Sequence, residues 1–176
     1  MRLLRILVGL VLVLLPMPAR ANSAEPVTVM TRNMYLGADV GPAMELLPDF
    51  SAAAEFMWKQ IKQTDFSQRS DGLAREIKSI RPDVVALQEA TVWVCAPHVW
   101  SKKTVVFDFT AMLADSLKAQ GLDYSIASAD GKQAFNTGFA INPIPGLTMV
   151  HDPQVFSELF GTEDAACGFR IADALL

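Results

Sequence analysis

Residues 68–89 constrain the fold more than any other stretch of the chain. Leu73, Ile77 and Ile80 recur at helical spacing with Arg75, Glu76 and Lys78 between them, the pattern of a helix that lays one apolar stripe on a sheet. Pro82 ends that helix near Arg81, because proline removes an N–H and biases its predecessor out of the α region. Val84-Val85-Ala86-Leu87 then reads as a strand buried on both faces, closed by Gln88 and Glu89. A helix that turns straight into a buried strand is a building step of α/β folds. It would deliver Glu89 to the carboxyl end of a strand, where open α/β sheets take their ligands.

The remaining elements are arranged around that unit. Residues 27–33, rich in β-branched side chains and following Pro26, predict a first strand ending in Asn33, and residues 35–41, with Gly37 and Gly41, a loop. Ser51 is a candidate N-cap for a helix through about Gln63, on which Phe56, Met57 and Ile61 share a face. Residues 91–99 are apolar but irregular, with Pro97 against a long strand. A helix is predicted over 107–120, stopped by Gly121. Short strands are expected at 124–127, 139–141 and 147–150, the last two around a turn at 142–146, and a final one over 168–176.

Arg2 and Arg5, the apolar run Ile6 to Leu15 and Ala19-Arg20-Ala21 follow the order of a secretory signal with its cleavage site, so residues 1–21 are expected to leave on export. The alternative, a membrane anchor, would need about 20 apolar residues, which this run does not reach. The chain carries −4 as a whole. Loss of Arg2, Arg5 and Arg20 leaves 12 basic residues against 19 acidic ones, or −7. Such a chain gains little from the counterion release that drives non-specific nucleic-acid binding. A secreted or periplasmic destination permits Cys95 and Cys167 to pair, without showing that they meet. Neither has a His or Cys at metal-ligand spacing.

The strand ending in Asn33 and the run Arg81-Pro82-Asp83-Val84-Val85-Ala86-Leu87-Gln88-Glu89 together resemble the endonuclease/exonuclease/phosphatase superfamily, the DNase I-like metal-dependent phosphoesterases. The resemblance implies an α/β fold, a four-layer sandwich of two sheets with helices outside. Residues 22–176 would hold an amino-terminal, incomplete portion of it: the first sheet, its flanking helices and the start of the second. It also implies that Glu89 binds a catalytic Mg2+, or another divalent cation such as Mn2+, and that Asn33 serves the same site. The expected substrate is a phosphate ester of nucleic acid, lipid or small molecule, attacked by water at phosphorus.

Elementary chemistry agrees with those roles. Magnesium takes hard oxygen ligands and keeps several waters, so one or two carboxylates plus substrate phosphate suffice. An Asn amide can donate to a phosphate oxygen. The family's later Gly-Asp-x-Asn and Ser-Asp-His motifs do not occur in these 176 residues. The isolated chain is therefore expected to be marginally stable and nearly inactive. A non-catalytic secreted binding protein on the same scaffold is the alternative. His151-Asp152-Pro153 reads as a loop and His98 as structural, while Asp108, Tyr124, Asn136, Arg170 and Asp173 are further polar candidates without a motif to place them.

Overall fold

The computed structural model describes residues 25–129, 132–133 and 147–176. The expected leader at 1–21, the strand at 139–141, the turn at 142–146 and Asn136 lie outside the described residues. Within them the order is β1 (Val29–Asn33), α1 (Val40–Glu45), α2 (Phe50–Gln63), α3 (Phe66–Ile80), β2 (Val84–Ala96), β3 (Thr104–Asp108), α4 (Phe109–Ala119), β4 (Ser128–Ala129), β5 (Lys132–Gln133), β6 (Thr148–His151), α5 (Pro153–Phe160) and β7 (Asp164–Leu175). The fold is mixed α/β. Five strands form one mixed sheet in the order β1-β2-β7-β6, with β3 also on β2, and β4 pairs with β5 separately.

Two long antiparallel strands, β2 and β7, form the spine of the sheet. β1 runs parallel to the first part of β2, from Val29 opposite Val84 to Asn33 opposite Gln88. β3 pairs antiparallel with its later part, from Val92 opposite Asp108 to Cys95 opposite Thr104. β1 and β3 therefore pair with successive stretches of β2, and residues 89–91 between them face no paired residue of either strand.

β2 is longer than the sequence predicts. It does not end at Glu89 but continues through the apolar stretch to Ala96, because β7 and β3 supply pairing that local periodicity does not reveal. Val85 and Leu87 are buried while Val84 and Ala86 are half-buried, so the strand alternates instead of being sealed on both faces. Its register against β7 slips between Leu87 and Ala90, where Gln88 and Glu89 lie opposite the single residue Asp173. The core reflects the slip. It takes Ala165, Cys167 and Phe169 from one part of β7 and then changes parity to Ala174 and Leu176 beyond it.

Among the described residues every helix begins at an aspartate whose carboxylate accepts a backbone N–H of the first turn: Asp39 from Gly41, Asp49 from Ala52, Asp65 from Gln68, Asp108 from Ala111 and Asp152 from Val155. Each such cap contributes about 1 kcal/mol. Asp49 rather than Ser51 thus starts α2. The predicted helix 107–120 begins at Phe109, since Phe107 and Asp108 end β3, and 124–127 is not a strand. Neither α1 nor α5 was expected; each is short and starts at a cap instead of a long apolar period. The final strand starts at Asp164, four residues before the expected Gly168.

Aromatic packing holds the helices to the sheet. Trp58 of α2 meets Trp93 of β2 edge-on at 5.6 Å between ring centroids and Phe156 of α5 at 5.2 Å, and Phe66 of α3 stacks on Phe109 of α4 at 3.8 Å. Such pairs add about 1 kcal/mol each beyond the area they bury. Cys95 and Cys167, directly opposite in the β2–β7 ladder, form a disulfide. Among the described residues no helix is long and apolar enough to cross a membrane.

Candidate functional site

Asn33 and Glu89, far apart in sequence, meet where β1 stops. The Asn33 Nδ2 donates to Glu89 Oε1 at 2.7 Å, and the backbone N–H of Leu36 donates to Oε2 at 2.7 Å. Asn33 Oδ1 in turn accepts from Tyr35 N at 2.6 Å, which folds the chain back immediately after the strand. Met34 N donates to Gln88 O at 2.9 Å and so extends the β1–β2 pairing by one bond. Glu89 is half-buried and Asn33 exposed.

The backbone at this point is unusual. Glu89 has φ 54° and Tyr35 φ 55°, both in the left-handed region that side chains with a Cβ rarely occupy, at a cost of about 1–2 kcal/mol per residue. The two bonds to its carboxylate offset that cost for Glu89. Gly37, at φ 93°, has no such penalty, and a Cβ there would also meet side-chain atoms of Ile61 and Thr64 at 3.1 Å.

Arg69 of α3, which no sequence pattern singles out from the other polar residues of its helix, supports the turn from below. Its Nη1 donates to Met34 O at 2.6 Å and to Tyr35 O at 3.2 Å, and its Nε donates to Thr64 O at 2.9 Å. The guanidinium lies over the rings of Phe66, Tyr35 and Phe109, 4.8, 5.4 and 5.6 Å from their centroids. Burial pulls its pKa below the ordinary arginine value. It nonetheless remains a cation.

The other polar candidates separate from this site by topology. Asp173 lies in β7 opposite Gln88 and Glu89, so it is the one whose register places it across the same irregularity. Arg170, also exposed on β7, sits opposite Val92. Asp108 is occupied as the cap of α4, and the Tyr124 hydroxyl donates to Pro82 O. His98 is exposed in the β2–β3 connection.

His151 and Asp152 belong to a different place, since β6 is two strands from β2. They line an open cleft of about 600 Å³ with Glu55, Lys59 and Lys62 of α2. Asp152 is buried and anchors α5 to α2, accepting from Trp58 Nε1 at 2.8 Å and Lys62 Nζ at 2.7 Å. Burial pushes its pKa up, but the bonds from Lys62, Trp58 and Val155 outweigh it and hold the group below the usual carboxylate value.

His151 Nδ1 pairs with Asp164 Oδ1 at 2.9 Å, and that bond raises the imidazole pKa above 6.5. A group raised on folding stabilises the fold below its unfolded pKa and loses that contribution as pH rises through the folded one. An NMR titration of His151 should therefore show a midpoint above 6.5 that falls in the Asp164→Asn variant. An unchanged midpoint would remove the pairing from the account.

As a cation site, the Asn33–Glu89 pair offers one carboxylate with each oxygen holding a single N–H donor, leaving further lone pairs toward a ligand. Among the described residues no three His, Cys, Asp or Glu side chains converge to hold a metal. That donor set fits a cation that keeps most of its water, as magnesium does, and does not fit a closed structural metal. Comparison with family models, curated proteins and solved structures finds no match to this chain.

Proposed function

We propose that this protein is a metal-dependent phosphoesterase of the endonuclease/exonuclease/phosphatase type, with Glu89 and Asn33 on the cation side of its cleft. The observation that carries the reading is their meeting at 2.7 Å beside the end of a parallel strand pair. A carboxylate held in a left-handed backbone position by an amide and a backbone N–H is oriented before any ligand arrives. Such preorganisation is the usual protein contribution to metal-assisted hydrolysis. The four-layer sandwich and the phosphate-ester substrate rest on the same resemblance, and the secreted destination rests on the signal-like order of residues 1–21.

A divalent cation bound there would polarise a phosphoryl oxygen and stabilise the charge that grows as water attacks. Glu89 would hold it through a free lone pair, Leu36 N and Asn33 would keep the carboxylate from rotating, and the second Asn33 amide hydrogen remains to donate to a phosphate oxygen.

The test combines turnover with binding. The chain on its own is expected to turn over slowly, and whatever hydrolysis of bis-p-nitrophenyl phosphate, plasmid DNA and sphingomyelin it supports with magnesium or manganese should fall by about a hundredfold in Glu89→Gln, the scale seen when one charge-stabilising group is lost. Manganese binding, followed by electron paramagnetic resonance, should weaken in the same variant. Turnover or manganese binding that survives Glu89→Gln would sink the proposal, and so would their joint absence in the wild type.

A second reading has its own observation. Both Glu89 oxygens already satisfy donors of the same chain, so the residue can serve as the internal anchor of the loop after β1 in a non-catalytic binding protein. In that case Glu89→Gln lowers stability and touches no metal binding.

A further inference from the structure

The connection between β2 and β3 stands apart from the chemistry above. Its last ladder pair is Cys95 opposite Thr104, and beyond it a tight turn is closed by Ser101 N donating to His98 O at 2.9 Å. Val99 and Trp100 occupy the two central positions of that turn. Turn centres ordinarily carry Gly, Asn, Asp or Pro, for conformational reasons that neither Val nor Trp satisfies. Trp100 is 95% exposed, Val99 is 44% exposed, and Val105 on the returning strand is 56% exposed. Single exposed apolar residues are ordinary, but three on one projecting hairpin are not.

The charge is as uneven as the hydropathy. The chain contains 19 acidic residues, yet none occurs from Ala90 through Phe107, where Lys102 and Lys103 are the only fixed charges. Both lysines are exposed and follow the turn directly. The disulfide ties the base of the hairpin to β7, so the tip is presented on a braced strand.

We propose that the tip of the β2–β3 hairpin docks on an anionic phospholipid surface, with Trp100 and Val99 entering the interface and Lys102 and Lys103 meeting the headgroups. Tryptophan suits that boundary because its ring is apolar and its N–H remains wet. Anionic lipid attracts cations close to the surface, and local charge governs the contact where salt screens the acidic remainder of the molecule. The proposal does not depend on the phosphoesterase reading and would stand or fall without it.

Tryptophan fluorescence tests it on the whole protein, because Trp58 and Trp93 are buried and residues 1–24 contain no tryptophan. Vesicles of phosphatidylcholine with phosphatidylserine should shift Trp100 emission to the blue and expose it to quenching by brominated acyl chains. Phosphatidylcholine alone should do so far less. Lys102→Ala with Lys103→Ala should raise the anionic-lipid concentration that gives half the shift by roughly thirtyfold, from about fivefold per lysine. Trp100→Ala, followed by vesicle co-sedimentation relative to the wild type, should lose about tenfold of the lipid-dependent binding.

Equal response to neutral and anionic vesicles, or no acyl-chain quenching of Trp100, would overturn the proposal. So would a Trp100 shift that follows protein concentration in the absence of lipid, which would make the hairpin a protein interface instead.

Discussion

Replacing Cys95 and Cys167 together by alanine is expected to destabilise the protein by about 4 kcal/mol, from the loop-closure entropy that the cross-link removes from the unfolded chain. The two cysteines are 72 residues apart, and the closed loop contains β3, α4, β4, β5, β6 and α5. Both lie in the core against Trp93, Phe169 and their neighbours, so truncation also removes packing there. Urea unfolding should show a midpoint lower by roughly 2 M for a typical slope of about 2 kcal/mol per molar. A loss below about 1 kcal/mol would mean that the unfolded chain is already compact without the bridge.

Arg69→Ala is expected to be nearly as severe, at about 3 kcal/mol. The variant strips three carbonyls of a charged donor, in a setting where such bonds contribute about 1.5–3 kcal/mol each but do not add fully. It also removes a cation from between three aromatic rings. Arg69→Lys should recover little, because an ammonium cannot reproduce the planar fork that spans the carbonyls on both sides. Hydrogen exchange is the more telling measurement. The Leu36 amide, bonded to Glu89, should lose protection in Arg69→Ala while the Val85 amide, bonded to Leu176 O just beyond the β2–β7 ladder, changes only with global stability. Equal loss at both amides would show that Arg69 supports the whole fold and not the turn.

Local signals explain what was legible in the sequence. Leu73, Ile77 and Pro82 mark α3 and its end because periodicity and proline stereochemistry act over a few residues. β1 and the start of β2 follow from the same logic, and Asn33 and Glu89 were thereby assigned to adjoining strand ends. The continuation of β2 beyond Glu89 was not legible, because it depends on pairing with β7, from Ala90 opposite Ala172 to Ala96 opposite Ala166, far along the chain. Arg69 was hidden for a related reason. Its importance comes from carbonyls on another segment, and nothing in its own neighbourhood announces them. The five aspartate caps show the reverse: Asp39, Asp49 and Asp65, which enter the sequence reading only through the net charge, and Asp108 and Asp152, which enter it as candidates for chemistry, are the start signals of helices.

The end-to-end placement of β1 and β3 along one side of β2 separates the duties of permanence and variation. The ladder between β2 and β7 is continuous past this point apart from its register slip, so the frame does not depend on the unpaired interval at 89–91. Whatever lies over that interval is supplied by connecting segments, chiefly the one that leaves β1 at Asn33. A lineage built on such a frame can exchange or lengthen that segment, and with it the chemistry it presents, without having to reinvent the sheet.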